Sequence, residues 1–144
     1  MRWLHSMPLG PSAMPSCVVD ASVLATAVAD EGRPGERARA VLRPYRLAAP
    51  DYGVVEVLSV VRGLVLGGWL VAADAETALS DFAALRIHRY DSAALTPRIW
   101  ELRDNLTTYD AGYVALAEAL DCPLITADAR IARASGPRCV VEVV

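Results

Sequence analysis

The chain has 144 residues, 14 of them basic and 17 acidic, for a formal charge of −3. That length is one domain, large enough for a proper core and too small for two. With 54% hydrophobic and 22% charged residues, disorder is excluded for the body of the chain. All 14 basic residues are arginine. The lack of lysine excludes Schiff-base enzymes, P-loop phosphate binding and phosphotransfer sites that need an ammonium group. A net negative balance also argues against holding nucleic acid by bulk charge alone.

Residues 1–15, with Pro8, Gly10, Pro11 and Pro15, read as an unstructured leader, and Met14 as an alternative start. The leader has no continuous apolar run, so no secretory signal is expected. No stretch reaches membrane-spanning length; the richest, 54–71, is broken by Glu56, Arg62 and Gly67-Gly68. Cys17, Cys122 and Cys139 are dispersed, with no C-x-x-C pair. They read as apolar packing residues of a cytoplasmic protein, not as a zinc site or disulfide framework.

From Ser16 onward, short β-rich runs alternate with longer helical patterns. This is the signature of an α/β domain with a central, mainly parallel sheet flanked by helices. The first strand is expected at Cys17–Val19, followed by a helix over 22–29. A second helix is opened by Pro34 and ends near Leu42. Leu47–Ala49 reads as a strand, and Asp51 starts a long helix running to Gly67. Asp74 opens a helix through Leu85, and Ile87–Tyr90 is a strand. Ser92 caps a helix to about Arg103. Thr107 or Thr108 caps the next, which ends at Leu120. Leu124–Thr126 is a strand, 129–134 a short helix, and Cys139–Val143 the last strand.

The carboxylates are the informative residues. Asp20 ends the first strand, and Asp128 follows the strand Leu124–Thr126 by one alanine. In a parallel α/β sheet such positions share the carboxyl rim, where ligands bind. Asp110 lies in the first turn of a helix antiparallel to that last strand, so it can face the same rim. Glu56 shares its helical stripe with Tyr52, Ser59, Val60, Gly63 and Gly67, while Val54, Val57, Leu58, Val61 and Val65 crowd the other faces. Each acid has a plainer role as well: Asp20 and Asp128 as helix caps, Asp110 as a dipole partner, Glu56 as a solvated face. Together they form four carboxylates that would repel unless a cation neutralised them. An all-oxygen set suits Mg²⁺ or Mn²⁺. His88 offers no triad, since no nucleophile-elbow motif accompanies it. Tyr109 and Tyr113, one turn apart, read as core or groove lining, and Trp69 as a packing anchor or interface residue.

VVDASVL at the first strand, the glutamate of PDYGVVEVLSVVR, TTYDAGYVALAEAL and LITADARIA resemble the PIN-domain ribonucleases, and most of all the VapC toxins of type II toxin–antitoxin pairs. The likeness covers residues 18–144, one PIN domain over 16–144 with the family's three-layer fold. It implies an acidic quartet of Asp20, Glu56, Asp110 and Asp128, with Thr126 as the hydroxyl residue before the last acid. It further implies a Mg²⁺-dependent endoribonuclease with Asp20, Asp110 and Asp128 as metal ligands. Glu56 would complete the metal shell through water or orient the attacking water. The implied partners are RNA, a VapB-like antitoxin seated over the apolar helices of 54–85, and a second copy of the chain. Gly112, where alanine is usual in the family, is a departure expected to cost about 1 kcal/mol of helix stability. A catalytically inactive PIN-type RNA- or protein-binding module is the alternative. Setting the four acids aside leaves 13 acidic against 14 basic residues, so the net negative charge belongs largely to the proposed site.

Overall fold

The computed structural model describes residues 14–144; most of the expected leader lies outside them. Strand β1 (Ser16–Val19) leads into α1 (Ala21–Ala29) and α2 (Arg33–Leu42), then β2 (Arg46–Pro50). The long helices α3 (Gly53–Leu66) and α4 (Ala72–Ala84) precede β3 (Ile87–Tyr90). A 3₁₀ turn (Ser92–Leu95) and α5 (Thr96–Glu101) carry the chain to α6 (Thr108–Leu120). Then come β4 (Leu124–Thr126), α7 (Ala129–Arg133) and β5 (Val141–Val143).

The five strands form one sheet in the order β3-β2-β1-β4-β5, and every pairing is parallel. The chain winds outward from β1 through β2 to β3, then returns to pair β4 on the other flank of β1. Strand β1 is therefore the point where strand order reverses, and the crevice at its carboxyl end is where such sheets bind ligands. Val18, Val19, Leu124 and Ile125 have no exposed surface, as expected of central strands covered on both faces. Helix α6 is buried continuously from Ala111 to Ala117, which explains why its sequence is apolar all round instead of striped. Arg98 fastens α5 to α6 through Glu118 (2.9 Å) and also reaches the Gly136 carbonyl (2.8 Å). Among the described residues, no helix is long and apolar enough to cross a membrane.

The expected elements are present, with four local differences. Asp51 does not cap α3; its Oδ1 accepts from the backbone N–H of Tyr52 (2.9 Å) and Ser92 (3.4 Å), tying the ends of β2 and β3 together. The single helix expected over 92–103 is two pieces. Asp91, not Ser92, caps the first. Pro97, which has no N–H to donate, sits at the start of the second. The last strand is shorter than expected because β4 offers only three residues for it to pair with. Leu58, expected on a packed face, is exposed on α3 together with Val55 and Leu66.

Gly112 has a structural reason. A Cβ at that position would run into the Tyr52 ring and hydroxyl. That hydroxyl donates to the Tyr109 carbonyl (2.7 Å), and the ring packs edge-on against Tyr109 and Tyr113. Helix propensity alone favours Gly112→Ala by about 1 kcal/mol, but displacing a fixed ring in a packed region costs about 1–3 kcal/mol. Gly112→Ala is therefore expected to lower the urea midpoint, and a midpoint that rises would show that the Tyr52 ring yields freely.

Candidate active site

The rim at the carboxyl ends of β1 and β4 is organised by one hydroxyl. Parallel pairing of these strands (Val19 opposite Ile125) continues one residue further, where Asp20 N–H donates to the Ile125 carbonyl at 2.9 Å. This places the Asp20 side chain beside Thr126. Thr126 Oγ1 donates to Asp20 Oδ2 at 2.7 Å and accepts from the Asp128 backbone N–H at 3.0 Å. Thr126 has no exposed surface, and Asp20 is 8% exposed. Asp20 occupies the N-cap position of α1 but makes no side-chain cap hydrogen bond. The plain capping role is thus not the one its carboxylate fills.

Asp128 does cap a helix. Its Oδ1 accepts from the Arg130 backbone N–H (2.9 Å), and its carboxylate also receives the Arg130 guanidinium through Nε (3.0 Å) and Nη2 (2.8 Å). That guanidinium holds the Asp128 carboxyl below the usual carboxylate range. Asp110 lies in the first turn of α6, where Thr107 is the N-cap and its Oγ1 accepts from the Asp110 N–H (3.2 Å). Burial raises the Asp110 pKa, a Thr107 hydrogen bond opposes the rise, and the charges of Asp20 and Asp128 add to it.

Glu56 projects from the first turn of α3. Burial again raises its pKa most, the Tyr113 hydroxyl opposes, and Asp20 and Asp110 add. Its Oε1 and the Tyr113 hydroxyl are both buried without a hydrogen-bond partner. The two groups therefore face each other closely enough to interact but do not close a well-aligned bond. Burial, together with the neighbouring carboxylates, pushes the phenols of Tyr52 and Tyr113 well up. Both rings are neutral walls among the acids.

The four acids lie on elements that converge at this rim: Glu56 feels the charges of Asp20 and Asp110, and Asp110 those of Asp20 and Asp128. The oxygen-only donor set and the orphaned Glu56 oxygen fit a hard divalent cation. The spacing does not yet close around one: among the described residues, no three acidic, histidine or cysteine side chains stand close enough to share an ion. Asp128, in addition, has both its oxygens engaged by Arg130.

Three contributors escaped the sequence reading. Tyr113, read only as core or groove lining, brings its hydroxyl to Glu56; the signal was its position three residues after Asp110, on the same helical face. Tyr52, noted on the Glu56 stripe, stands among the charges of Glu56, Asp110 and Asp20. Arg130, with Arg62 the arginine nearest the motifs in sequence and assigned no role there, pairs with Asp128. His88 stacks on Tyr90 at 4.4 Å, away from this chemistry.

The PIN domain family model matches residues 17–137. The chain belongs to the PIN-domain family, in its VapC branch. Ribonuclease VapC9 of Mycobacterium tuberculosis is 42% identical over 127 residues, 88% of this chain and 97% of that protein. Ribonuclease VapC1 of the same organism is 39% identical over 132 residues, 91% of this chain and 99% of that protein. The crystal structure of VapBC2 from Rickettsia felis bound to a promoter DNA fragment aligns with a TM-score of 0.63, covering 88% of this chain and 97% of that one. At 15% identity that likeness speaks for the fold alone.

The raised Glu56 pKa has a consequence for stability. The folded chain holds the Glu56 proton more tightly than the unfolded chain does. The resulting stability is fully present below the ordinary glutamate value of about 4.3 and is lost as pH rises through the folded value. Glu56→Gln removes this titration. Its urea midpoint is expected to exceed that of the parent near pH ~7 and to converge with it near pH ~4. A difference independent of pH would show that burial and repulsion do not act on Glu56.

Proposed function

We propose that this chain is the toxin of a type II toxin–antitoxin pair, a metal-dependent endoribonuclease that hydrolyses RNA phosphodiester bonds at the four-acid rim in the cytoplasm. The observation that carries this reading is the Glu56 carboxylate, half-buried, with one oxygen unpartnered and in reach of the charges of Asp20 and Asp110. Nothing in the core requires such a group, and burying it against like charges is unfavourable unless the site has a use for it. The relatives' name, ribonuclease, agrees with this reading.

Asp20, Asp110 and Asp128 are the residues suited to hold Mg²⁺ or Mn²⁺. When bound, the ion supplies positive charge to the scissile phosphate and makes nearby water more acidic. Thr126 keeps Asp20 oriented toward the rim and leaves one of its carboxylate oxygens free of the Thr126 hydroxyl. Glu56, whose pKa is raised mainly by burial, is placed to take a proton from the attacking water. Tyr113 and Tyr52 exclude solvent behind it, which strengthens every electrostatic interaction at the rim.

The antitoxin partner has a seat separate from the acids. A groove of about 680 Å³ lies between α1, α3 and α4, floored by Val28, Val60, Leu64 and Leu70 beside Trp69. Asp30, Glu31, Asp74 and Asp81 also line it. It suits an amphipathic antitoxin segment carrying arginine. Trp69 is 84% exposed, so it is not buried as a core anchor and is suited to an interface. The exposed Val55, Leu58 and Leu66 of α3 are suited to a second copy of the chain.

One observation favours the alternative of a binding-only PIN module: Asp128 is taken by Arg130 and does not close the acid cluster. Substitution decides between the two. Asp20→Asn and Asp110→Asn are each expected to lower metal-dependent RNA cleavage by roughly 100-fold or more and to relieve growth inhibition, with melting behaviour retained. Cleavage that persists in either variant, in buffer checked for contaminating nuclease, sinks the nuclease reading.

A further inference from the structure

We propose that Arg130 is a phosphate-binding side chain for the RNA substrate, parked on Asp128 and passed from that carboxylate to an RNA backbone phosphate when the fourth acid is recruited. This rests on the nuclease reading above and deepens it by assigning a substrate contact that the acids themselves cannot make.

The geometry of the pair is the starting point. Arg130 Nε lies 3.0 Å from Asp128 Oδ1 and 3.2 Å from Oδ2, and Nη2 lies 2.8 Å from Oδ2. The Arg130 backbone N–H adds a fourth contact, to Oδ1 at 2.9 Å. With both oxygens engaged in this fork, the guanidinium competes with any cation for the Asp128 carboxylate. The hold is nonetheless shallow. The Arg130 side chain is 83% exposed and that of Asp128 26%. An ion pair this open to water is weak and exchanges readily. A phosphate diester presents the same planar fork of oxygens to a guanidinium as a carboxylate does, so the exchange keeps the geometry of the contact.

Position and partners single out Arg130 from the arginines that are engaged elsewhere. Cationic side-chain contacts to the RNA backbone must come from arginine, because the chain has no lysine. Arg39 is spent on the carbonyls of Ala27 and Asp30, Arg98 on Glu118, Glu101 and Gly136, and Arg103 on the carbonyl and ring of Trp100. Arg62 is exposed on α3, a third of a turn away from the Glu56 stripe. Arg130 stands in the first turn of α7, on the rim itself, and its charge is felt at Asp110 as well as at Asp128. Arg133, on the same helix, is felt by Asp128 but forms no hydrogen bond with it among the described residues. It serves as the internal control.

The proposal makes Arg130 a competitor of the metal and an ally of the RNA, so one substitution must move the two affinities in opposite directions. Two binding measurements test this without reading catalysis: calorimetric titration with Mn²⁺ in the absence of RNA, and binding of a short single-stranded RNA of mixed sequence in EDTA over a range of salt. Arg130→Ala is expected to weaken RNA binding by about tenfold and to reduce the slope of log affinity against log salt by about 1. The same variant is expected to bind Mn²⁺ several-fold more tightly, because Asp128 is released. Arg130→Lys should restore the salt slope and part of the RNA affinity, and Arg133→Ala should change both affinities less than twofold. An Arg130→Ala protein indistinguishable from the parent in either titration, or an Arg133→Ala protein that behaves like it, overturns the role of Arg130 and leaves the nuclease reading standing. A parent chain that binds neither Mn²⁺ nor RNA overturns the nuclease reading and this assignment with it.

Discussion

The hydroxyl of Thr126 lies between two demands that oppose each other. Parallel pairing of β1 and β4 brings Asp20 to the point where the sheet's winding reverses, and there a carboxylate is nearly cut off from water. A buried carboxylate needs a donor, and Thr126 supplies one at 2.7 Å. Because the same oxygen accepts from the Asp128 backbone at 3.0 Å, the loop that carries the last acid is set by the bond that settles the first. Loss of this hydroxyl would leave a buried acceptor unsatisfied and unfasten the turn into α7 together. The position of two acids on different strands is thus one structural fact.

The remaining acids are held less comfortably. Glu56 and Asp110 are each partly withdrawn from water and exposed to other negative charge, and both carboxyls are shifted toward their neutral forms. The surrounding frame tolerates this because it is rigid. Helix α6 is packed on all sides, and the rings of Tyr52, Tyr109 and Tyr113 form an edge-to-face cluster behind the acids. Packing and polar networks elsewhere hold in place a rim that is electrostatically unfavourable by itself, the usual condition of a functional site.

The parts legible in the sequence were those with a local signal. Ile87–Tyr90 and Leu124–Thr126 were located to the residue because each is a short β-rich run between clear helical patterns. The rim position of Asp20 and Asp128 followed from their places just beyond strands. What could not be read was three-dimensional choice among equally plausible local roles. Asp20 and Asp128 looked alike as caps, and only the fold shows that one turns to Thr126 while the other caps α7 and binds Arg130. Leu58 crowds an apolar face of α3 in the sequence, but among the described residues it is left exposed. Tyr113 was read as lining; its hydroxyl acquires meaning only through Glu56, 57 positions earlier in the chain.

The contact between Tyr52 and Gly112 carries a consequence for how this sequence can change over time. The ring occupies the volume that an alanine side chain would need, so neither position is free to drift alone. A larger residue at 112 meets the ring, and a smaller one at 52 opens a void beside the acids and leaves the Tyr109 carbonyl without its donor. The two sites are therefore expected to have been replaced as a pair, with the single-substitution intermediates selected against. A related chain carrying alanine in α6 at this point should carry something narrower than tyrosine at the head of α3.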